Sequence, residues 1–255
     1  MRLECDLSLA SGYKSQTQIA RVLSEGWFGK NGYCISCESD NLLPTATNSK
    51  ASDFICPICS ERYELKTFRS EPRKRLVDGA YSALISRIQS GSVPTLMLME
   101  RSESWKILAL TAVHHLFLTP EVVEKRKPLS PRARRAGWIG CNIRLDLIGT
   151  DARIPLIRSG VLADRDSIRE QFRKFKRLKD VPVALRGWTT FTLKAVRGLK
   201  RTEFSLSEVY ALEQDFIAHY PNNHNIQAKI RQQLQVLRDL GFLEFKGDGC
   251  YKLLI

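Results

Sequence analysis

The sequence predicts an α/β domain carrying a four-cysteine metal element, followed by a winged helix-turn-helix. Three observations predict it. Segments with apolar residues at helical spacing alternate with aromatic and β-branched runs through the first part of the chain. Two Cys-x-x-Cys pairs stand 18 residues apart. Beyond Trp188, three helical segments precede a strand–turn–strand pattern around Gly247-Asp248-Gly249. The expected division is residues 1–183 and 184–255.

In chain order, 14–29 place Ile19, Val22, Leu23 and Trp27 at helical spacing, with Gly26 and Gly29 near the end. The polar, turn-rich stretch 38–52 predicts a loop. "DFIC" and "RYELKTF" predict strands on either side of the Cys56-Pro57-Ile58-Cys59 turn. Residues 77–92 read as a helix ending at Gly91, with Ala80, Leu84, Ile85 and Ile88 on one face. Residues 93–100 and 104–114 read as two strands. The prolines and dense basic residues of 119–140 exclude a continuous helix and predict a long basic surface loop. Residues 165–180 predict a basic amphipathic helix, and 181–188 a linker. Thr189–Arg197 then suits a first helix. "SLSE" (205–208) is a capping box opening a second, expected to run to about Tyr220. The third starts at Asn225 and ends at Gly241, with Ile226, Ile230, Leu234 and Leu237 buried.

The chain has 255 residues and is 43% hydrophobic, enough for one large or two ordinary cores. Forty Lys and Arg against 27 Asp and Glu give a net charge of +13, which favours nucleic acid over a membrane as partner. The surplus is concentrated. Residues 121–180 alone carry 16 basic and 8 acidic side chains, the signature of a patch. No apolar run is long enough to cross a bilayer. The amino terminus has no apolar h-region, so no secretory signal is expected. Seven cysteines in such a chain read as cytosolic thiols or metal ligands, not disulfides.

The spacing of Cys34, Cys37, Cys56 and Cys59 suits a tetrahedral, closed and therefore structural Zn²⁺ site. Cys5, Cys141 and Cys250 have no partner at such spacing and are expected to be buried. Interleaved with the cysteines is a hard-ligand pattern. Asp53 and Glu64 offer carboxylates suited to Mg²⁺, and the Leu65 carbonyl adds a third oxygen. On an extended strand Glu64 and Lys66 share a face, so the lysine can hold an attacking water or stabilise developing charge. Alone this pattern is weak, because acids and lysines on a strand usually form a solvated face. With a zinc-clamped turn setting the separation of Asp53 from Glu64, it becomes a catalytic candidate. Soft thiolates and hard carboxylates keep the two metals apart.

Two surfaces are candidates for DNA contact. In "RARRAGWIG", Arg132, Arg134 and Arg135 suit phosphates, and Trp138 lies between two glycines. In the winged helix, Asn223, His224, Asn225 and Gln227 open the third helix. Its outer face carries Lys229, Arg231, Gln232 and Gln233, side chains suited to base edges and phosphates in a major groove.

Taken together, "YCISC", "DFICPICSERYELK", "RKPLSPRARRAGWIGCNI", "KIRQQLQVLRD" and "EFKG" make the chain resemble, over its whole length, the DpnI-type methyl-directed restriction endonucleases. The resemblance implies a PD-(D/E)xK nuclease domain and a winged helix, both reading double-stranded GATC that carries N6-methyladenine. It implies Asp53, Glu64 and Lys66 as the catalytic set with Mg²⁺, and zinc on the four cysteines. It raises Trp138 to first choice as the methyl sensor of the nuclease domain. Ser52 stands where the family pattern has proline, a position that is not a ligand. One methyl group in an apolar pocket discriminates by roughly 10–200-fold, so two readings multiply protection. The expectation is a bacterial cytoplasmic monomer of type II class that nicks each strand in turn. The competing reading is a non-enzymatic zinc-containing winged-helix regulator, which leaves the acid–acid–lysine set idle.

Overall fold

The computed structural model describes residues 2–46, 52–70 and 74–254. Part of the predicted 38–52 loop, residues 47–51, lies outside them. The described part of that loop holds a short strand, β1 (Leu43–Pro44).

Helix α1 (Gln16–Asn31) covers one face of a mixed sheet and buries Leu23, Trp27 and Phe28. The sheet continues with β2 (Phe54–Ile55) and β3 (Arg62–Phe68), the arms of the cysteine turn. Next comes β4 (Arg75–Ala80), which occupies residues expected to start a helix. Helix α2 itself is Tyr81–Gln89. The misread has a simple cause. Val77–Ala80 satisfies a helical apolar pattern locally, but Leu76, Val77 and Asp78 pair in register with Ile143, Asn142 and Cys141 of a distant strand.

Strands β5 (Thr95–Arg101) and β6 (Ile107–Val113) follow as expected. Within 119–140, the predicted loop begins with a 3-10 turn and β7 (Val123–Lys125), so the open basic segment is residues 126–139. Strand β8 (Gly140–Arg144) closes it. Strands β9 (Arg153–Arg158) and β10 (Val161–Leu162) complete the main sheet. Helix α3 (Arg165–Lys174) is shorter than predicted, and a 3-10 segment carries Lys176–Asp180.

The main sheet has the order β1-β2-β3-β5-β6-β9-β10. Among the described residues its one parallel pair is β3 with β5, which aligns Glu64 with Leu96 and Lys66 with Leu98. Both faces of β5 are covered, hence its continuous apolar run Leu96–Met99. On one face Tyr63, Met97 and Met99 join α1, α3 and the cysteine turn in one core. On the other, Leu96 and Leu98 join α2, the small sheet β4-β8-β7 and the carboxy-terminal helices in a second core.

The predicted linker is not one. Residues 183–188 are the first turns of α4 (Val183–Gly198). That helix is anchored to the amino-terminal half by Lys194 Nζ donating to Asp146 O (2.7 Å) and Arg197 Nε to Asp151 (2.9 Å). Phe175 and Phe242 stack across the same boundary at 5.7 Å. The expected second helix is split into α5 (Leu206–Tyr210) and α6 (Glu213–His219) by a turn at Ala211-Leu212. The Ser205–Glu208 capping box is present as predicted. Helix α7 (Ile226–Asp239) buries Ile226, Ile230, Leu234 and Leu237, and Gly241 takes φ +71° just beyond its end. The wing is β12 (Leu243–Gly247) and β13 (Cys250–Leu253). It gains a third strand, β11 (Glu203–Ser205), that periodicity did not reveal.

Candidate active site and nucleic-acid surfaces

The β2–β3 turn gathers four thiols. The Sγ atoms of Cys34, Cys37, Cys56 and Cys59 all lie within 4.8 Å of one another. Cys34–Cys59 and Cys37–Cys56 are 3.5 and 3.6 Å apart. Tetrahedral thiolates about 2.3 Å from Zn²⁺ would stand roughly 3.8 Å apart, so the cluster can hold zinc with little adjustment. Backbone amides of Ser36 and Cys59 point at Cys34 and Cys56 sulfurs, at 3.4 and 3.5 Å. The Tyr63 hydroxyl lies 3.2 Å from Cys34 Sγ and accepts from the Ile35 amide. Burial, reinforced by Cys34, pushes that hydroxyl well above its ordinary pKa and keeps it protonated. Cys5 and Cys141 are buried as expected. Cys250 is not: it is exposed on the wing.

Asp53 immediately precedes β2, at the end of that strand away from the cysteine turn. Its amide donates to Tyr63 O (2.9 Å), extending the ladder by one step. Its carboxylate Oδ2 then accepts from the Leu65 amide at 2.7 Å. A side chain thus replaces the backbone partner that Leu65 would have if β2 continued. In an extended strand the N–H and C=O of one residue face the same neighbour, so the Leu65 carbonyl is directed to the Asp53 side as well. Asp53 also lines a cleft of about 640 Å³ with Arg21, Glu25, Thr45 and Ser52. Burial, and then the Asp53 charge, push the Glu25 carboxyl up from its ordinary pKa.

Glu64 and Lys66 share a face of β3, and their charged ends meet at 2.6 Å. Lys66 Nζ also lies 2.7 Å from Asp78 Oδ1 on β4, and Arg87 of α2 stands 3.6 Å from Glu64 Oε2. Burial alone would depress the Lys66 pKa. Glu64 and Asp78 outweigh it, and the ammonium titrates above its ordinary range. Asp78 is shifted the other way: burial opposes its charge, but Lys66 holds it below the normal carboxylate range. The structure therefore brings Glu64 and Lys66 together and bonds Asp53 to the residue between them. Sequence reasoning missed Glu25, Asp78 and Arg87. Asp78 was hidden because its segment reads as helix, and its contact with Lys66 depends on strand pairing across the fold.

The basic loop presents Arg132, Arg134 and Arg135 to solvent. Trp138 is half-buried, with the Arg135 guanidinium 4.9 Å from its ring centroid. The ring lies against Gly140, where a Cβ would come within 2.8 Å of two ring carbons. That close approach is what the glycine permits. In the winged helix His224, Asn225, Gln227, Arg231 and Gln232 are exposed and Asn223 is half-buried. Gln227 donates to Glu213 at 2.9 Å, and Lys229 to Gln232 at 2.8 Å. Asn225 starts α7 without a side-chain cap, its amide bonding Asn223 Oδ1 instead. Gln233 does not belong to the outer face. It is 1% exposed and accepts from Thr189 Oγ1 at 2.7 Å in the α4–α7 contact. No helix among the described residues is long and apolar enough to cross a membrane.

Mixed sheet, four-cysteine cluster and carboxy-terminal winged helix together define an α/β protein with an attached helix-turn-helix domain. Residues 1–181 match the model of DpnI, described as the Dam-replacing family, and residues 184–253 match that of its carboxy-terminal Dam-replacing HTH domain. The chain belongs to this family, the DpnI-type methyl-directed restriction endonucleases. That membership favours a nuclease over a non-enzymatic regulator.

Proposed function

We propose that the chain is a type II enzyme that hydrolyses both strands of GATC when its adenine carries an N6-methyl group, using Mg²⁺ at a PD-(D/E)xK site and zinc as a brace. Residues 1–183 form the nuclease and 184–255 the winged-helix reader. The observation that carries this reading is the bond from the Leu65 amide to Asp53 Oδ2, which ties the first acid to the strand bearing Glu64 and Lys66. Asp53, Glu64 and the Leu65 carbonyl are a hard-oxygen set of the kind Mg²⁺ takes. The ion would supply charge neutralisation on the phosphate and a more acidic bound water.

The rest belongs to the chain. Lys66 is held charged by two carboxylates, so it acts as a donor, orienting the attacking water or a phosphate oxygen, rather than as a proton acceptor. The four cysteines would hold zinc in a closed shell that leaves no position for substrate, and would so fix the bend between Asp53 and Glu64. Arg132, Arg134 and Arg135 grip phosphates, and Trp138 meets the methyl groups. Asn223, His224, Asn225, Gln227, Arg231 and Gln232 present α7 to a major groove. One active site and one reader per chain suit a cytoplasmic monomer that nicks the strands in succession.

Digestion of plasmid from adenine-methylating and non-methylating hosts, with and without Mg²⁺, tests the whole reading. Only methylated DNA with Mg²⁺ should be cut. Lys66→Ala should abolish cutting and preserve methyl-dependent binding. Cleavage of both plasmids would refute the specificity, and an active Lys66→Ala variant would refute the catalytic assignment.

A further inference from the structure

Lys66 has two anionic partners, and the proposed chemistry needs one of them elsewhere. Its ammonium lies 2.6 Å from Glu64 Oε1 and 2.7 Å from Asp78 Oδ1. Glu64 is a proposed metal ligand, and a carboxylate oxygen committed to a cation no longer compensates a nearby ammonium. Asp78, like Glu64 and Lys66, does not line the Asp53 cleft, and its side chain is only 4% exposed. It stands on β4 opposite Cys141, beside a register shift at Gly79. Bulges of this kind re-aim side chains, and here the carboxylate is delivered to the lysine. Strand β8, its partner, begins at Gly140, on which Trp138 rests. The residue that holds the lysine is thus part of the small sheet that carries the basic loop.

We infer that Asp78 is a positioning residue: it keeps the Lys66 ammonium aimed at the reacting phosphate when Glu64 turns to the metal. This rests on the proposed catalytic set. Without Asp78, the described anion left on Lys66 is Glu64, and the lysine then competes with the cation for the same carboxylate. Two defects follow from one substitution. The donor is misplaced, and more Mg²⁺ is needed to free Glu64. A misplacement of about 1 Å can cost on the order of 100-fold in rate.

The test compares Asp78→Asn and Asp78→Glu with wild type and Lys66→Ala. Single-turnover cleavage of a methylated GATC duplex is measured at saturating enzyme across Mg²⁺ concentrations. Affinity for the same duplex is measured in chelator. Asp78→Asn should slow cleavage roughly 100-fold and raise the Mg²⁺ needed for half-maximal rate, with affinity unchanged within about twofold. Asp78→Glu, which keeps the charge, should recover at least about a tenth of the wild-type rate. A rate for Asp78→Asn within about threefold of wild type overturns the inference. So does parallel loss of cleavage and duplex binding without rescue by glutamate, which would make Asp78 structural.

If Asp78→Asn does not fold, unfolding midpoints decide the question through Asp78→Glu, Lys66→Met and the Lys66→Met/Asp78→Asn pair. Neutralising both partners should restore most of what the single change loses. A pair that likewise fails to fold would show that Asp78 does not act through Lys66. Should Lys66→Ala cut normally, the catalytic reading fails. Should it be inactive while Asp78→Asn is normal, only the present inference does.

Discussion

Zinc removal should disable the nuclease without unfolding the reader. The β2–β3 ladder consists of two residue pairs, Phe54 with Tyr63 and Ile55 with Arg62. It is extended by the Asp53 amide to Tyr63 O and the Cys56 amide to Glu61 O, each 2.9 Å. A typical hydrogen bond nets about 0.5–1.5 kcal/mol, so a handful contributes roughly 2–6 kcal/mol. Structural zinc in small modules contributes an apparent 10–16 kcal/mol or so, several times as much. With zinc bound, the bend that joins Asp53 to Glu64 would therefore be held mainly by the metal. Its residues Cys34, Cys56 and Tyr63 pack in the core with α1 and α3, whereas α4 and α7 pack in the core on the opposite sheet face. The perturbation is a zinc-selective chelator followed by excess Mg²⁺, or Cys37→Ser. Bound zinc is measured by atomic absorption, cleavage with methylated plasmid, and local order by hydrogen exchange. Cleavage should fall at least about 100-fold, the exchange of Phe54–Lys66 amides should rise, and α7 should stay protected. A zinc-free protein that cuts at the wild-type rate would refute the bracing argument.

Three further outcomes are expected. Gly140→Ala puts a methyl 2.8 Å from two Trp138 carbons, so the ring must withdraw by about 0.7 Å to reach ordinary contact. The ratio of affinities for methylated and unmethylated duplex should drop several-fold with little change in unfolding midpoint; an unchanged ratio would remove Trp138 from methyl sensing. In the α4–α7 contact, Gln233 Nε2 is buried with no hydrogen-bond partner among the described residues. Leaving such a group unpaired costs about 1–3 kcal/mol, so Thr189→Val with Gln233→Met should unfold at or above the wild-type midpoint. Finally, log affinity for DNA should fall with log salt by about 0.9 per phosphate contacted. Replacing Arg132, Arg134 and Arg135 by alanine should flatten that slope, and an unaltered slope would mean that the loop does not reach the backbone.

What the sequence determined by itself was the chemistry that short spacing encodes. Cys-x-x-Cys pairs, a Glu-x-Lys on a strand, a Ser-x-x-Glu cap and a Gly-Asp-Gly turn each act within a few residues, so their geometry follows from local backbone periodicity. The apolar stripe of α7 was legible for the same reason. What only the tertiary structure decided was everything that depends on pairing over long separations. Residues 77–80 read as helix until β8 claims them as β4. Residues 181–188 read as a linker until the boundary at Phe175–Phe242 and Lys194–Asp146 makes 183–188 the base of α4. Gln233 looks like a groove-facing amide until Thr189, 44 positions earlier, turns it inward. Asp78 reaches Lys66 across twelve residues of chain because a second sheet folds over the first. Local propensity is a small, roughly additive preference, and a strand register that buries a whole apolar face outweighs it.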